Sequence, residues 1–216
     1  VMSKHIYFKE KYGFVPADSI SESVSYGVEM AYYDWCIAKI AEAAGNQKTA
    51  DLYFKKAKNY QLYFDESTGF MRGKNSDGSW REPFHPRFSE HEKSDYVEGN
   101  AYQWSYFVPH DISNHIKMHG GKDQFETQLD TLFTTSSEIE GEHASGDITG
   151  LIGQYAHGNE PSHHMAYLYN WTNATWKTQK YIDQILTDFY LPSPAGIIGN
   201  EDCSQMSAWY VLNAIG

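Results

Sequence analysis

Acidic side chains stand at three points of the sequence where a loop gives way to a predicted helix. Glu98 precedes Gly99 at the first point, Glu160 precedes Pro161 at the second, and Asp202 stands at the third. A carboxylate at a helix start is often a simple cap that compensates the helix dipole. Two carboxylates on opposite sides of one cleft can instead hydrolyse a glycosidic bond, with one protonated and the other ionised. We therefore predict Glu98 and Asp202 as a catalytic pair, with helix capping as the alternative.

The distance between the two carboxylates would decide the stereochemistry of such a reaction. A separation of about 6.5–9.5 Å leaves room for a water molecule and gives inversion, whereas about 5 Å gives retention. The protonated partner also needs surroundings that raise its pKa, such as apolar burial. Tyr96, Tyr102 and Trp104 flank Glu98 and are candidates for that role. The sequence leaves both stereochemical outcomes open.

The segment from Asn159 to His164 combines amide, carboxylate and imidazole groups in six residues. Its oxygens are hard ligands of the kind that calcium prefers, and its polar groups suit contacts with hydroxyls. Pro161 restricts Glu160 to an extended conformation and opens a helix. We predict Asn159, Glu160, His163 and His164 as substrate-binding residues.

A zinc site is a weaker interpretation of the histidines. The spacing of His157, Glu160 and His163 matches no standard zinc motif. His115 and His119 are four residues apart, but no glutamate completes the hydrolytic zinc pattern. We expect these two histidines to lie on the surface.

The composition limits the classes of partner. The chain has 216 residues, with 17 Lys and Arg against 28 Asp and Glu and a net charge of −11, which disfavours nucleic acid. No stretch approaches the roughly 18 apolar residues of a membrane span. Two cysteines, Cys36 and Cys203, provide no disulfide framework. Aromatic residues make up 16% of the chain, and they could fill a core or stack on sugar rings.

Apolar residues recur at helical spacing in several segments, and no strand pattern is sustained. The apolar positions that we expect on the buried helix faces are Val24, Val28, Ala31, Trp35 and Ala38, then Leu52, Phe54, Ala57, Tyr60 and Phe64, and then Phe125, Leu129, Leu132 and Phe133. The predicted helices cover residues 21–44, 47–64, 100–107 with short pieces up to 119, 122–136, 163–171, 175–190 and 203–215. The glycine-rich segments 69–99 and 141–161 are long loops of a functional kind. The predicted class is all-α, built from three to four helical hairpins with long connections. Six such hairpins close into a toroid, so we expect a fragment or a chain that pairs with a missing segment.

Several motifs together resemble glycoside hydrolase family 92, the calcium-dependent, inverting exo-α-mannosidases. The strings DYVEGNAYQWSYFVPHD, GNEPSHHMAYLYN and GNEDCSQMSAWYVLNAIG carry the resemblance, and YGFVPAD, SVSYGVEMAYYDWCIAKIA and TGFMRGKNSDGSWREPF extend it over nearly the whole chain. The resemblance implies that residues 1–216 form a single, partial catalytic domain of (α/α)6 toroid type. It also implies that an N-terminal β-sandwich and the first toroid helices are absent.

The resemblance also assigns roles by position. Glu98 in YVEGN corresponds to the general acid and Asp202 in GNEDCSQ to the general base. Glu160 in NEP corresponds to the region that contacts substrate around Ca2+, and it is our predicted metal ligand. The implied partner is a mannose-containing oligosaccharide from N-glycans or mannan, together with the remainder of the catalytic domain. The implied location is bacterial, secreted or periplasmic.

Some positions depart from the family pattern. Asn200 and His85 stand where aspartate is expected, and Ser204 stands where glycine is expected. Asn159 replaces the histidine that accompanies α-1,2 specificity, which leaves the linkage open. The alternative function is a non-catalytic helical sugar-binding or scaffold module, which would keep the aromatic residues without needing both Glu98 and Asp202.

Overall fold

The computed structural model describes residues 3–216, which form eight α-helices joined by long loops and short 3-10 helices. The helices α1 to α8 span Lys4–Tyr12, Ser23–Ala43, Gln47–Lys56, Ala101–Trp104, Ile112–Met118, Lys122–Thr134, Thr175–Phe189 and Gln205–Ala214. The 3-10 helices span Asn59–Tyr63, Glu160–Ser162 and Met165–Trp171. The predicted helical class is confirmed. Within residues 3–216, no helix combines the length and the apolar character that crossing a bilayer requires.

Two short antiparallel hairpins supplement the helices. Strand β1 (Phe64–Asp65) pairs with β2 (Phe70–Met71), and β3 (Leu151–Ile152) pairs with β4 (Tyr155–Ala156). Each strand has only two residues, which is too short to show the alternating pattern by which a strand is found in a sequence. The second hairpin lies inside the predicted loop 141–161 and gives it a fixed shape.

The first core cluster forms around α2, which packs against α3 as a helical hairpin. Val24, Val28, Ala31 and Ala38 are buried on α2, as the helical spacing predicts. The side chains that pack against α2 in this cluster are largely aromatic and come from Tyr60, Tyr63, Phe64, Met71, Tyr96, Ala101, Trp104 and Val108. This cluster therefore joins α2 to the segment that carries Glu98.

The single helix predicted for residues 47–64 divides in the structure. Helix α3 ends at Lys56, and a 3-10 turn carries Tyr60 and Tyr63 on one face, because residues three apart align in that geometry. The Tyr60 hydroxyl donates to Asp111 Oδ2 at 2.8 Å, and the Tyr63 hydroxyl accepts from the Val15 amide at 2.7 Å. The prediction that Leu52 is buried is wrong, since it is 51% exposed.

The second core cluster joins α6, α7, α8 and the 3-10 helix Met165–Trp171. Phe125, Leu129, Leu132 and Phe133 of α6 are buried as predicted. They pack with Met165, Leu168, Tyr169, Tyr181, Ile185 and Trp209. The cluster thus supports both the 157–164 segment and the start of α8.

The prediction that His115 and His119 lie on the surface is wrong. His115 is buried, and its Nε2 atom lies 3.2 Å from Nε2 of His119. Both rings pack edge-on against Phe125. Burial lowers the pKa of His119 to about 4. The pair belongs to the core and serves no metal site among residues 3–216.

A buried amide network connects the two clusters. Asn100 caps α4, its Nδ2 donates to Gln154 Oε1 at 2.8 Å, and Gln103 Nε2 donates to the Gln154 carbonyl at 2.5 Å. The Gln154 side chain in turn donates to the carbonyls of Ser136 and Glu138 at 2.6 and 3.0 Å. Buried polar groups of this kind stabilise only when every partner is present.

We expect Gln154→Leu to lower the free energy of unfolding by about 2–4 kcal/mol, because the buried Asn100 amide and the carbonyls of Ser136 and Glu138 would lose their partner. Urea denaturation followed by circular dichroism measures the loss. Gln124→Leu on the exposed face of α6 is the matched control and should change stability by less than about 0.5 kcal/mol. Equal effects of the two substitutions would contradict the structural role of the network.

Candidate active site

Glu98 lies on a strained turn directly before α4. Its backbone is in the left-handed region, with φ of 45°, a conformation that costs a residue with a side chain about 1–2 kcal/mol. The turn is anchored on both sides, since the Val97 amide donates to Ser25 Oγ at 2.9 Å and Trp104 Nε1 donates to the Val97 carbonyl at 2.6 Å. A Cβ atom at Gly99 would lie only 2.9 Å from Trp104 Nε1, so glycine is required there.

A cavity of about 510 Å3 opens beside this turn. Its lining combines acids, an amide and aromatic rings, and consists of Ser25, Tyr26, Glu29, Val97, Glu98, Trp104, Phe107, Asn159, Glu160 and Pro161. Asn159 Nδ2 donates to the Glu98 carbonyl at 2.8 Å and thereby joins two segments far apart in the sequence. The cavity has the size and the mixed lining of a small-molecule site. Of the predicted residues, Glu98, Asn159 and Glu160 meet here.

The electrostatic surroundings of Glu98 favour its protonated form. Desolvation raises the pKa of Glu98, and the negative charges of Asp147 and Glu160 raise it further, against opposing effects of His91 and Asn159. A general acid in glycoside hydrolysis needs such an elevated pKa. Of the three aromatic residues proposed to supply it, Trp104 lines the cavity. Tyr96 is instead buried in the first core cluster, with its hydroxyl donating to the Met71 carbonyl.

Asp202 lies on a second strained turn, directly before α8. Asp202, Cys203 and Ser204 have φ of 50°, 55° and 73°, a run of three left-handed residues. The adjacent Glu201 caps the helix, because its two carboxylate oxygens accept from the amide and the hydroxyl of Ser207 at 3.1 and 2.9 Å. The Asp202 carboxylate is exposed and has no hydrogen-bond partner among residues 3–216. Of the two neighbouring acids, Glu201 therefore takes the capping role and Asp202 is free.

The turn that carries Asp202 packs against the segment that carries Asn159 and Glu160. A Cβ atom at Gly199 would lie 3.0 Å from the Gly158 carbonyl oxygen, so the two backbones touch there. Asp202 also acts electrostatically on His163, since its negative charge opposes the lowering of the pKa of that histidine by burial. Asp202 is not among the residues that line the cavity of Glu98, and its predicted pairing with Glu98 stays a prediction.

The two predicted histidines face the interior. His163 Nε2 lies 2.9 Å from the His157 carbonyl, and His164 Nε2 lies 2.8 Å from the Tyr106 carbonyl. Burial lowers the pKa of both rings. Neither residue lines the cavity, so substrate contact by these histidines also stays a prediction.

Sequence reasoning missed residues that act on the site indirectly. Asp147 raises the pKa of Glu98, and Gln154 supports the start of α4 from the hairpin β3–β4. Both lie in the glycine-rich segment 141–161, which was predicted as functional. Their individual roles depend on contacts across some 50 residues of sequence, and no local spacing indicates them.

Comparisons with known proteins identify the family of the chain. Residues 2–216 match the model of the glycosyl hydrolase family 92 catalytic domain. The chain belongs to this family. The resemblance inferred from the motifs is therefore confirmed.

Solved structures of the family are similar over nearly the whole chain. A family 92 α-mannosidase from Bacteroides thetaiotaomicron, solved with mannoimidazole, is 41% identical with a TM-score of 0.90, over 98% of this chain and 28% of that one. An inverting mannosidase of the family from the same organism is 33% identical with a TM-score of 0.81, over 98% of this chain and 29% of that one.

A curated fungal relative is more distant. It is described as an uncharacterized secreted glycosidase of Arthroderma benhamiae and is 24% identical over 229 residues, which cover 96% of this chain and 27% of that protein. The chain thus spans little more than a quarter of the length of each of these relatives.

We expect Asp147→Asn to lower the pKa of Glu98, because removing a negative charge makes ionisation of the neighbouring carboxyl easier. The titration of the Glu98 carboxyl carbon by 13C NMR measures the shift. The alkaline limb of any activity that needs protonated Glu98 should move to lower pH in the same variant. Asp183→Asn, at an exposed position on α7, is the control, and an equal shift there would contradict the assignment.

We expect Gly199→Ala to destabilise the protein more than Gly45→Ala does. The two glycines have nearly the same φ, 72° and 73°, so alanine incurs the same conformational cost of about 1 kcal/mol at each. Only Gly199 is also crowded, by the backbone of Gly158, whereas nothing lies within 4 Å of a Cβ at Gly45. Crowding should add about 1 kcal/mol to the loss of unfolding free energy at Gly199, as measured by urea denaturation. Equal losses would show that the two backbones are not in contact.

Proposed function

We propose that the protein acts as an exo-acting α-mannosidase that hydrolyses terminal α-linked mannose with inversion. The observation that carries the proposal is the carboxyl of Glu98, which has a raised pKa and lies in a cavity shared with Asn159 and Glu160. The α-mannosidases among the solved relatives support the substrate, and the inverting relative supports the stereochemistry.

In the proposed reaction, Glu98 is the general acid and Asp202 is the general base. Asp202 takes a proton from a water molecule as that water attacks the anomeric carbon. The bond between this carbon and the leaving oxygen breaks, and Glu98 delivers its proton to that oxygen. Inversion requires about 6.5–9.5 Å between the two carboxyls, so that the water fits between Asp202 and the sugar.

Substrate contacts in the proposal come from the segment 159–164. Asn159 and Glu160 line the cavity and present polar groups to sugar hydroxyls. Trp104, Tyr26 and Phe107 present aromatic surface in the same cavity, against which a sugar ring can pack. His163 and His164 contribute from the interior by fixing this segment through their bonds to backbone carbonyls.

We propose a calcium ion at this cavity on the chemistry of two oxygen donors, since residues 3–216 contain no group of three or more His, Cys, Asp or Glu that could hold a metal alone. The Glu160 carboxylate and the Asn159 Oδ1 atom are hard oxygen ligands, and neither has a hydrogen-bond partner among residues 3–216. Calcium takes six to eight oxygen ligands. These two residues would hold the ion in part, and water and sugar hydroxyls are the natural remaining ligands. When bound, the ion would supply positive charge that holds sugar hydroxyls beside the acids of the site.

The wider context is also proposed from the relatives. We infer that residues 1–216 form part of an (α/α)6 toroid and that the rest of the catalytic domain completes it, since the relatives are more than three times as long. N-glycans or mannan would be the source of terminal mannose. A secreted or periplasmic location in a bacterium agrees with the fungal relative described as secreted.

We expect Glu98→Gln in the full-length protein to lower kcat by about 10²–10⁴-fold on an alkyl mannoside, because the leaving oxygen loses its proton donor. The loss should be much smaller on a dinitrophenyl mannoside, whose leaving group needs no protonation. Steady-state kinetics measures the loss of kcat. In the unmodified protein, 1H NMR should detect β-mannose as the first product.

The matched control is Glu66→Gln, at an exposed site with no assigned role. Thermal unfolding of both variants should resemble that of the parent. Full turnover of the alkyl mannoside by Glu98→Gln would refute the acid assignment. Mannose binding without turnover in the unmodified protein would instead favour the non-catalytic sugar-binding module.

A further inference from the structure

A side-chain hydrogen bond connects the two loops of the candidate site. Gln205 is the first residue of α8, and its main-chain amide donates to the Asp202 carbonyl at 3.0 Å. Its side-chain Nε2 atom lies 3.2 Å from Nδ1 of His163. Gln205 therefore contacts both the turn that carries Asp202 and the segment that follows Glu160.

The hydrogen-bond partners of His163 fix the direction of this bond. The His157 carbonyl, 2.9 Å from Nε2 of His163, can only accept, so Nε2 carries the ring proton. In the neutral ring Nδ1 is then a bare acceptor, and the side-chain amide of Gln205 donates to it. His163 is 6% exposed, which leaves little room for water to replace the amide.

Helix α8 contacts the segment 157–164 again at Trp209, one turn after Gln205. Trp209 Nε1 donates to the His163 carbonyl at 3.2 Å, and the Trp209 ring lies 4.5 Å from that of His157, centroid to centroid. Tyr190 completes the contact, because its hydroxyl donates to the Met206 carbonyl at 3.1 Å and lies 2.7 Å from His157 Nε2. The first turn of α8 is thus held by Tyr190 at Met206 and by the Glu201 cap, and Gln205 adds the bond that reaches His163.

The turn that carries Asp202, the proposed base, directly precedes the first turn of α8. The left-handed run from Asp202 to Ser204 has no regular hydrogen-bonded ladder, and the Asp202 carboxylate has no partner among residues 3–216. The position of the Asp202 carboxylate therefore depends on the contacts that the neighbouring residues make. On this turn the side-chain contacts are the Glu201 cap, which lies within the turn and α8, and the Gln205 bond, which reaches the opposite loop.

We propose that Gln205 and His163 are positioning residues, and that their hydrogen bond fixes the turn of Asp202 against the segment of Asn159 and Glu160. The inference rests on the proposed function for its effect on catalysis. Displacing a reacting group by about 1 Å can reduce the rate by about 100-fold. Binding of mannose, by contrast, should not depend on this bond, because neither residue lines the cavity.

The test compares two substitutions of Gln205 in the full-length protein. Gln205→Met keeps the length of the side chain and removes the donor, whereas Gln205→Lys retains an N–H donor. We expect Gln205→Met to lower kcat by about 100-fold with KM unchanged and Gln205→Lys to restore most of the rate. Gln179→Met, at an exposed position on α7, is the matched control and should behave as the parent.

Two readouts are independent of activity. In 15N-histidine-labelled protein, the Nδ1 resonance of His163 should move towards that of an unbonded acceptor in Gln205→Met. Amide hydrogen exchange should become faster across residues 199–207 in this variant alone. An unchanged His163 resonance or unchanged exchange would overturn the positioning role.

A normal kcat in Gln205→Met with a shifted His163 resonance would also overturn the proposal, because the bond would be absent without consequence. If the unmodified full-length protein has no mannosidase activity, the proposed function fails. The positioning role would then be judged by the exchange of residues 199–207 alone.

Discussion

The position of Glu98 depends on the buried amides beneath α4. Asn100 caps the helix, Gln103 closes the capping box, and Gln154 reaches both from the hairpin β3–β4. Because an unpaired buried amide costs more than a paired one contributes, the three side chains form or fail together. Because the network forms as a unit, it can stabilise the unfavourable left-handed backbone of Glu98 beside the cavity. The same network joins the two hydrophobic clusters, so the site lies where both meet.

Repulsion between acidic side chains adds to desolvation in raising the pKa of Glu98. The chain carries a net charge of −11, and the negative charges of Asp147 and Glu160 act on the Glu98 carboxyl. Such crowding of acids is unfavourable for stability, yet after desolvation it contributes to the raised pKa of Glu98. A divalent cation at Glu160 would offset part of the repulsion, which makes the proposed calcium ion and the protonation of the acid physically linked.

The opposite side of the site is organised differently. The strained turn of Asp202 follows the contact between Gly199 and Gly158, and Gln205 connects it to His163 by a hydrogen bond. The turns that carry Glu98 and Asp202 both contact the segment 157–164. The chain belongs to glycosyl hydrolase family 92, and in the proposed reaction this shared segment would let two acids over 100 residues apart in sequence act on one sugar.

The sequence by itself determined the helical class, the buried faces of α2 and α6, the family, and the three acid-bearing junctions. These features are local, since each depends on the spacing of residues a few positions apart or on contiguous motifs. Only the tertiary structure decided that Tyr60 and Tyr63 lie on a 3-10 turn, that His115 is buried with His119 half-buried beside it, and that Glu201 caps α8 while Asp202 is free. It alone brought Asn159 to Glu98 and Gln205 to His163. Hydrogen bonds and charges between distant segments depend on where the packed core places them, and no periodicity along the chain encodes that placement.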